Sequence, residues 1–242
     1  GEHWSVEKIP EAGLSLFFLN DSLGWMVTRN GVWQTQEGGR SWKRLARLRG
    51  LLSIYFQDAR HGWAVGHPKA VYETRDGGEH WSAVAAAAQP KTTPESTTYG
   101  WIDFVGSRVG LIVGSSRPPR RDQRGRFPTW MDPDEFQLRR EWPTLTIFLE
   151  TRDGGKTWSF SQSSMFGIVT RVRLAPDGRG LGLIQFSDSF TWPSEVFQLD
   201  LRTGNSKRVF RQKDRLVTDL ALVPQGPGYL AGIEPQGTLW QA

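Results

Sequence analysis

Three stretches of this chain superimpose without a gap: TQEGGRSW (35–42), TRDGGEHW (74–81) and TRDGGKTW (151–158). Such a repeat constrains the fold more than composition does, because every copy must build the same local structure and bury the same face. Trp81 follows Trp42 by 39 residues, and Trp158 follows Trp81 by 77. The first interval is close to the roughly 40 residues of one four-stranded sheet unit, and the second is one unit plus an insertion. The chemistry of the motif is local. A carboxylate at its third position, Asp76 or Asp153, accepts hydrogens from its own turn. The pairs Gly77–Gly78 and Gly154–Gly155 allow the positive φ of a tight hairpin. In the first copy the acid is Glu37, followed by Gly39, and its longer arm predicts a looser turn. The closing Trp42, Trp81 and Trp158 are expected to fold back and bury a large ring. A metal-binding or catalytic role for these carboxylates is the other reading, but a self-satisfied turn explains their spacing without one.

Each copy sits in the same setting. Upstream lie a strand, a turn and a second strand that opens on glycine: LSLFFLNDSLGWMV, LLSIYFQDARHGWAV, YGWIDFVGSRVGLIV. A short strand enters the motif (VWQTQ, VYETR, IFLETR), and another leaves it, as in SWKRL. Four short antiparallel strands per unit predict an all-β fold, a β-propeller of four-stranded blades. A fourth unit reads IVTRVRLAPDG, RGLGLIQFS, EVFQLDL and SKRVFRQ; a fifth reads VTDLALVP, GYLAGIE and GTLWQA. The fifth is one strand short, and GEHWSVEKI at residues 1–9 matches GEHWSAV at 78–84. The N-terminal segment is therefore expected to complete the C-terminal blade, with Trp4 in the place of Trp81, closing a single 1–242 domain. Five blades are expected, with six as the alternative.

These motifs carry a family resemblance. TRDGGKTW resembles the Asp-box (BNR) repeat of sialidases, sortilin-like receptors and photosystem II stability/assembly factor-like proteins. The pairing of GW strands with TRDGGxxW turns is most similar to the assembly-factor-like group. The likeness spans Leu14 to Ser164; beyond it the strand pattern persists, but the turn DLRTGNSK lacks a Trp. The resemblance implies an exported, non-catalytic scaffold holding a protein partner, which in photosynthetic organisms is a photosystem subunit. Such relatives usually have seven blades, so five is a departure.

The insertion, residues 115–143, leaves the third blade between its second and third strands. It shares a face with the 89–98 connection and the loops at His67–Lys69 and Ser187–Ser194. Long loops on a rigid scaffold are where binding residues concentrate. Arg117, Arg120, Arg121, Arg124, Arg126, Arg139 and Arg140 are interleaved with Trp130, Phe136 and Trp142. Arginine forks suit carboxylate or phosphate groups, and rings suit stacking. With His67 and Trp192 they form the expected docking surface for a protein that is acidic or membrane-associated. The alternative is an irregular solvated loop whose rings pin it to the blade. Asp132 and Pro133 would suit the start of a short helix over 134–140.

Composition narrows the other classes. With no Cys among 242 residues there is no disulfide, thiol nucleophile or Cys-bound metal. The four His are scattered without ligand spacing, so no metal and no cofactor is expected. No apolar run approaches the roughly 20 residues of a membrane helix. The chain begins at Gly1 without a leader, which suggests a trimmed chain, and a closed ring suggests a monomer. A net charge of +5 and pI of 9.7 favour acidic partners. Nucleic acid rests only on that charge and the insertion, and ranks last. A glycoside hydrolase is the runner-up, with carbohydrate as its ligand. A sialidase would need three arginines gripping a carboxylate and a Tyr–Glu pair, yet there are four Tyr and no FRIP-type segment. Other glycosidases need two carboxylates about 5–10 Å apart, for which Asp103, Asp188, Glu195 and Asp219 are the pool.

Overall fold

Short alternating strands punctuated by glycine turns produce a succession of small antiparallel sheets. The computed structural model describes residues 6–117, 143–187, 190–223, 225–234 and the backbone of 239–241. The first sheet is β1 (Gly13–Phe18), β2 (Gly24–Thr28), β3 (Gly31–Thr35) and β4 (Lys43–Ala46). The second is β5 (Leu51–Phe56), β6 (Gly62–Gly66), β7 (Ala70–Thr74) and β8 (Ser82–Ala83). The third is β9 (Thr97–Val105), β10 (Val109–Ser116), β11 (Thr144–Thr151) and β12 (Ser159–Met165). The fourth is β13 (Ile168–Leu174), β14 (Arg179–Gln185), β15 (Ser194–Asp200) and β16 (Ser206–Arg211). The last described sheet has three strands, β17 (Leu216–Leu222), β18 (Gly228–Ile233) and β19 (Leu239–Gln241). Within each, strands lie side by side in sequence order, as in the blades of a propeller. Two short 3-10 turns, Ala85–Ala88 and Pro94–Ser96, occupy the connection between the second and third blades.

The first strand of each blade is the inner one. β1 lies against β5, β5 against β9, β9 against β13, and β13 against β17. All five inner strands carry a bulge at the same place, with Leu14, Leu52, Gly100, Thr170 and Thr218 as the extra residue. A bulge bends its strand and increases the local twist. Here it marks the blade repeat even in the fourth and fifth units, which lack the Trp turn. No contact comparable to that of neighbouring inner strands joins β17 to β1 among the described residues. Of the 1–9 segment expected to close the ring, residues 1–5, with Trp4, lie outside the described residues, and residues 6–9 form no strand.

The blades are held together by indoles from their second strands. Trp25 and Trp63 are fully buried. Trp25 stacks flat on Phe56 of the next blade, ring centroids 3.6 Å apart, and its Nε1 donates to Gly77 O at 2.8 Å. Trp63 likewise stacks on Phe104 of the third blade at 4.6 Å. The repeat tryptophans Trp81 and Trp158 are only half-buried and meet these stacks edge-on, Trp81 against Phe56 and Trp158 against Trp63. The main wedge is thus the GW-strand indole, and the Asp-box Trp braces it.

The glycines make room for this packing. A Cβ on Gly155, which sits at φ +82°, would fall 2.3 Å from Trp63 Cζ2. Gly106 also has positive φ, +57°, but nothing lies within 4 Å of where its Cβ would be. Gly155→Ala is therefore expected to cost roughly 3 kcal/mol, combining a steric clash with backbone strain. Gly106→Ala should cost about 1 kcal/mol, from strain alone. Urea denaturation of the two variants checks the difference.

Candidate functional site

The Asp boxes are built from a threonine outward. Buried Thr74 and Thr151 end the third strands of their blades, and each Oγ1 accepts the amide of the second glycine at 2.9 Å. The same hydroxyls donate to Asp76 and Asp153 at 2.9 and 2.8 Å. Asp76 also accepts the His80 amide at 2.9 Å and meets His80 Nδ1 at 2.7 Å. Asp153 takes the Thr157 hydroxyl at 2.6 Å and its amide at 2.9 Å. Those bonds hold both carboxyls at about 2, with the His80 amide the largest cause for Asp76 and the Thr157 hydroxyl for Asp153. In the first box Glu37 reaches the Ser41 hydroxyl at 2.7 Å rather than a backbone amide. Trp81 and Trp158 donate to Gly78 O and Gly155 O at 2.9 and 3.1 Å, whereas the buried Trp42 Nε1 has no hydrogen-bond partner. These carboxylates spend their lone pairs on their own turns, which leaves little for a ligand.

On the loop face, three connections are stitched together. The Lys69 amide donates to Thr97 O at 2.8 Å, and the Arg117 amide donates to Ser96 O at 2.9 Å. Lys69 Nζ spans the carbonyls of Ala88, Pro90 and Thr92 at 3.3, 2.7 and 3.0 Å, fixing the long connection. His67 is exposed, with Nδ1 3.2 Å from Thr97 O and 3.1 Å from Thr98 Oγ1. Arg117 leads into the insertion and donates through Nε to Thr144 Oγ1 at 2.8 Å. Trp192 is half-buried on the fourth blade, with the Arg211 guanidinium 3.8 Å over its ring. Of the remaining expected binding residues, Arg120, Arg121, Arg124, Arg126, Trp130, Arg139, Arg140 and Trp142 lie outside the described residues, as does the 134–140 helix.

The structure also gathers a charged group that sequence reasoning passed over as a unit. The residue following each inner-strand bulge and the one two further on share one face of their strand. In the third blade these are Trp101 and Asp103, in the fourth Arg171 and Arg173, and in the fifth Asp219 and Ala221. The guanidiniums of Arg171 and Arg173 lie 4.5 and 4.7 Å from the centre of the same Trp101 ring. Arg173 stands 3.9 Å from Asp103 and donates to Leu220 O at 3.0 Å; Arg171 stands 3.4 Å from Asp219. Trp101 Nε1 donates to Val172 O at 2.8 Å. Both arginines keep about a third of their side-chain surface exposed. Two cations held over one ring, with room for solvent, suit a carboxylate or phosphate.

Each described member of the glycosidase pool is met by an arginine. Asp103 has Arg173, Asp219 has Arg171, and buried Glu195 has Arg211 and, at 3.5 Å, Arg208. Asp188 lies outside the described residues. Burial raises the Asp103 carboxyl to about 6, against the opposing pull of Arg173 and the Leu174 amide at 3.2 Å. Nearby Tyr55 is pushed up to about 12, by burial first and Asp103 second. Because Asp103 binds its proton more tightly folded than unfolded, its contribution is fully present below about pH 4 and lost as pH rises through about 6, on the order of 3 kcal/mol. The box carboxylates titrate lower, outside this window. Asp103→Asn is expected to flatten the fall in stability between about pH 4 and 7, read from urea midpoints.

A family model described as photosynthesis system II assembly factor YCF48 matches residues 45–118. Among solved structures, YCF48 bound to D1 peptide aligns over 96% of this chain and 68% of its own, at 18% identity and a TM-score of 0.58. YCF48 from Cyanidioschyzon merolae aligns over 94% of this chain and 69% of its own, at 14% identity and TM-score 0.56. A GH74 xyloglucanase from Xanthomonas campestris covers 90% of this chain and 34% of its own, at 13% identity and TM-score 0.53. Likeness at such identities is a likeness of fold. This chain is an Asp-box β-propeller that resembles the YCF48 photosystem II assembly factor.

Proposed function

We propose that this chain is a non-catalytic propeller that binds a protein partner carrying acidic groups. The observation that carries the reading is the convergence of Arg171 and Arg173 on the face of Trp101, where an incoming carboxylate would share guanidiniums that Asp219 and Asp103 already approach at 3.4 and 3.9 Å. The stitched loop face around Lys69, Ser96 and Arg117 supplies a rigid base for the arginine- and tryptophan-rich insertion, so it is the second contact surface. YCF48 has been solved with a D1 peptide, and the family-model match makes a polypeptide ligand the reading to test first. A glycosidase would need two carboxylates at liberty to exchange protons, and Asp103, Glu195 and Asp219 are each engaged by arginine.

The test is affinity capture from extract with three forms of the protein. These are the intact chain, one with residues 115–143 replaced by a short glycine-containing turn, and Arg171→Gln/Arg173→Gln. A partner held by the intact chain, lost with the insertion and weakened at least tenfold by the double substitution is expected. Capture that is indifferent to both changes would remove the proposal.

A further inference from the structure

Between the second and third blades, the loops that join first to second strands meet the Asp-box turn of the third blade. Two bonds fix the meeting. The Gly154 amide donates to Arg108 O at 2.9 Å, and Gln57 Nε2 crosses the blade boundary to donate to Ser107 O at 2.7 Å. These contacts leave a cavity of about 420 Å³ whose walls include Gln57, Arg75, Ser107, Arg108, Asp153 and Lys156. Sites for small molecules are about 300–1,000 Å³, so the size fits such a ligand. Its lining residues are all described and lie well inside the described chain.

The cavity is cationic. Arg75 shares its charge with Glu73 at 2.7 Å, but Arg108 and Lys156 have no ion-pair partner among the described residues. Asp153 is the one acid among the lining residues, and its oxygens are taken by the Thr151 hydroxyl and by the Thr157 hydroxyl and amide. Three cations against Asp153 and Glu73 leave one positive charge in excess. The repeat supplies a control. At the boundary of the first and second blades the same backbone bond runs from the Gly77 amide to Arg60 O at 2.8 Å. There the positions of Arg75, Ser107 and Lys156 are held by Gln36, Ala59 and Glu79. The junction forms as well with an acid in place of Lys156, so the fold does not require these charges.

We propose that this cavity binds a phosphate group, on a small molecule or as the free anion, with Arg108 and Lys156 as its anchoring cations. An arginine fork beside a lysine point charge suits the several oxygens of a phosphate. The cavity has room beyond the phosphoryl group for a sugar-sized body, to which Gln57 and Ser107 offer uncharged polar groups. β11 starts at the loop face and ends, eight residues on, at this turn. The site therefore lies roughly 25 Å from the loop face and stands independently of the protein-binding reading.

Calorimetric titration in a phosphate-free buffer tests this with glucose 6-phosphate, inorganic phosphate and acetate as probes. The proteins are the wild type, Arg108→Gln/Lys156→Gln, and Arg40→Gln/Arg60→Gln, which removes the same charge outside the cavity. All four positions are exposed, so both variants should melt as the wild type does. The wild type is expected to bind one phosphate group per chain. The cavity variant should bind it at least about tenfold more weakly, and the charge-matched variant should bind it unchanged. Tighter binding of the ester would assign the site to a phosphorylated small molecule, and equal or tighter binding of inorganic phosphate to the free anion. The proposal is overturned if neither probe saturates, if the cavity variant still binds as the wild type, if both variants lose binding alike, or if acetate binds as tightly.

Discussion

A four-stranded blade is too small to bury both of its faces, so everything else in this chain depends on how one blade is sealed to the next. The seal is an indole laid flat on a phenylalanine across the boundary, Trp25 on Phe56 and Trp63 on Phe104. A large ring covers much of the inter-blade gap while ordering few rotatable bonds. In the first of these contacts the same indole also hydrogen-bonds the neighbouring Asp-box turn, through Gly77 O. Trp63 repeats the stack without that bond, its Nε1 buried and unpartnered. The box turns thus act at the blade boundary as well as within their own hairpins. Towards the fourth and fifth blades the aromatic seal gives way to aliphatics, Leu181, Leu183, Val196, Val217 and Leu220.

This arrangement explains what could be read in the sequence. The turns were legible because Thr, Asp, Gly and Trp at fixed spacing have few other ways to satisfy their chemistry, and Thr151, Asp153 and Gly155 show the resulting bond network. The strand order followed from the repeat. The division of labour among tryptophans was not legible. Trp25 and Trp81 both sit near glycine in strand-like surroundings, and only packing distinguishes the flat wedge from the edge-on brace. The inner-strand bulges were invisible for a similar reason. Leu14, Leu52, Gly100, Thr170 and Thr218 share no side-chain chemistry, because a bulge is a fact of backbone register.

The axial charges were hidden by distance along the chain. Trp101 and Val172, or Arg173 and Leu220, are far apart in sequence and meet only because each lies near the same place on successive inner strands. Within their own strands WIDF and TRVRL nothing marks Trp101, Arg171 and Arg173 as neighbours. Once assembled, they place two guanidiniums against one ring beside a carboxyl whose burial raises its proton affinity. The cluster therefore becomes more cationic as the medium acidifies towards and below about pH 6, which favours an anionic ligand. The loop face needs no such coupling, since its lysine and backbone bonds are local to three adjoining connections.

If the cross-blade stack, rather than each blade alone, stabilises the fold, its two rings must be energetically coupled. A double-mutant cycle on Trp25→Leu and Phe56→Leu, read by urea denaturation, tests it most directly. Each single change should cost roughly 2–4 kcal/mol. The pair together should cost less than their sum by about 1–3 kcal/mol, the coupling of two rings in contact. Costs that add within about 0.5 kcal/mol would mean the rings act independently, and would contradict it.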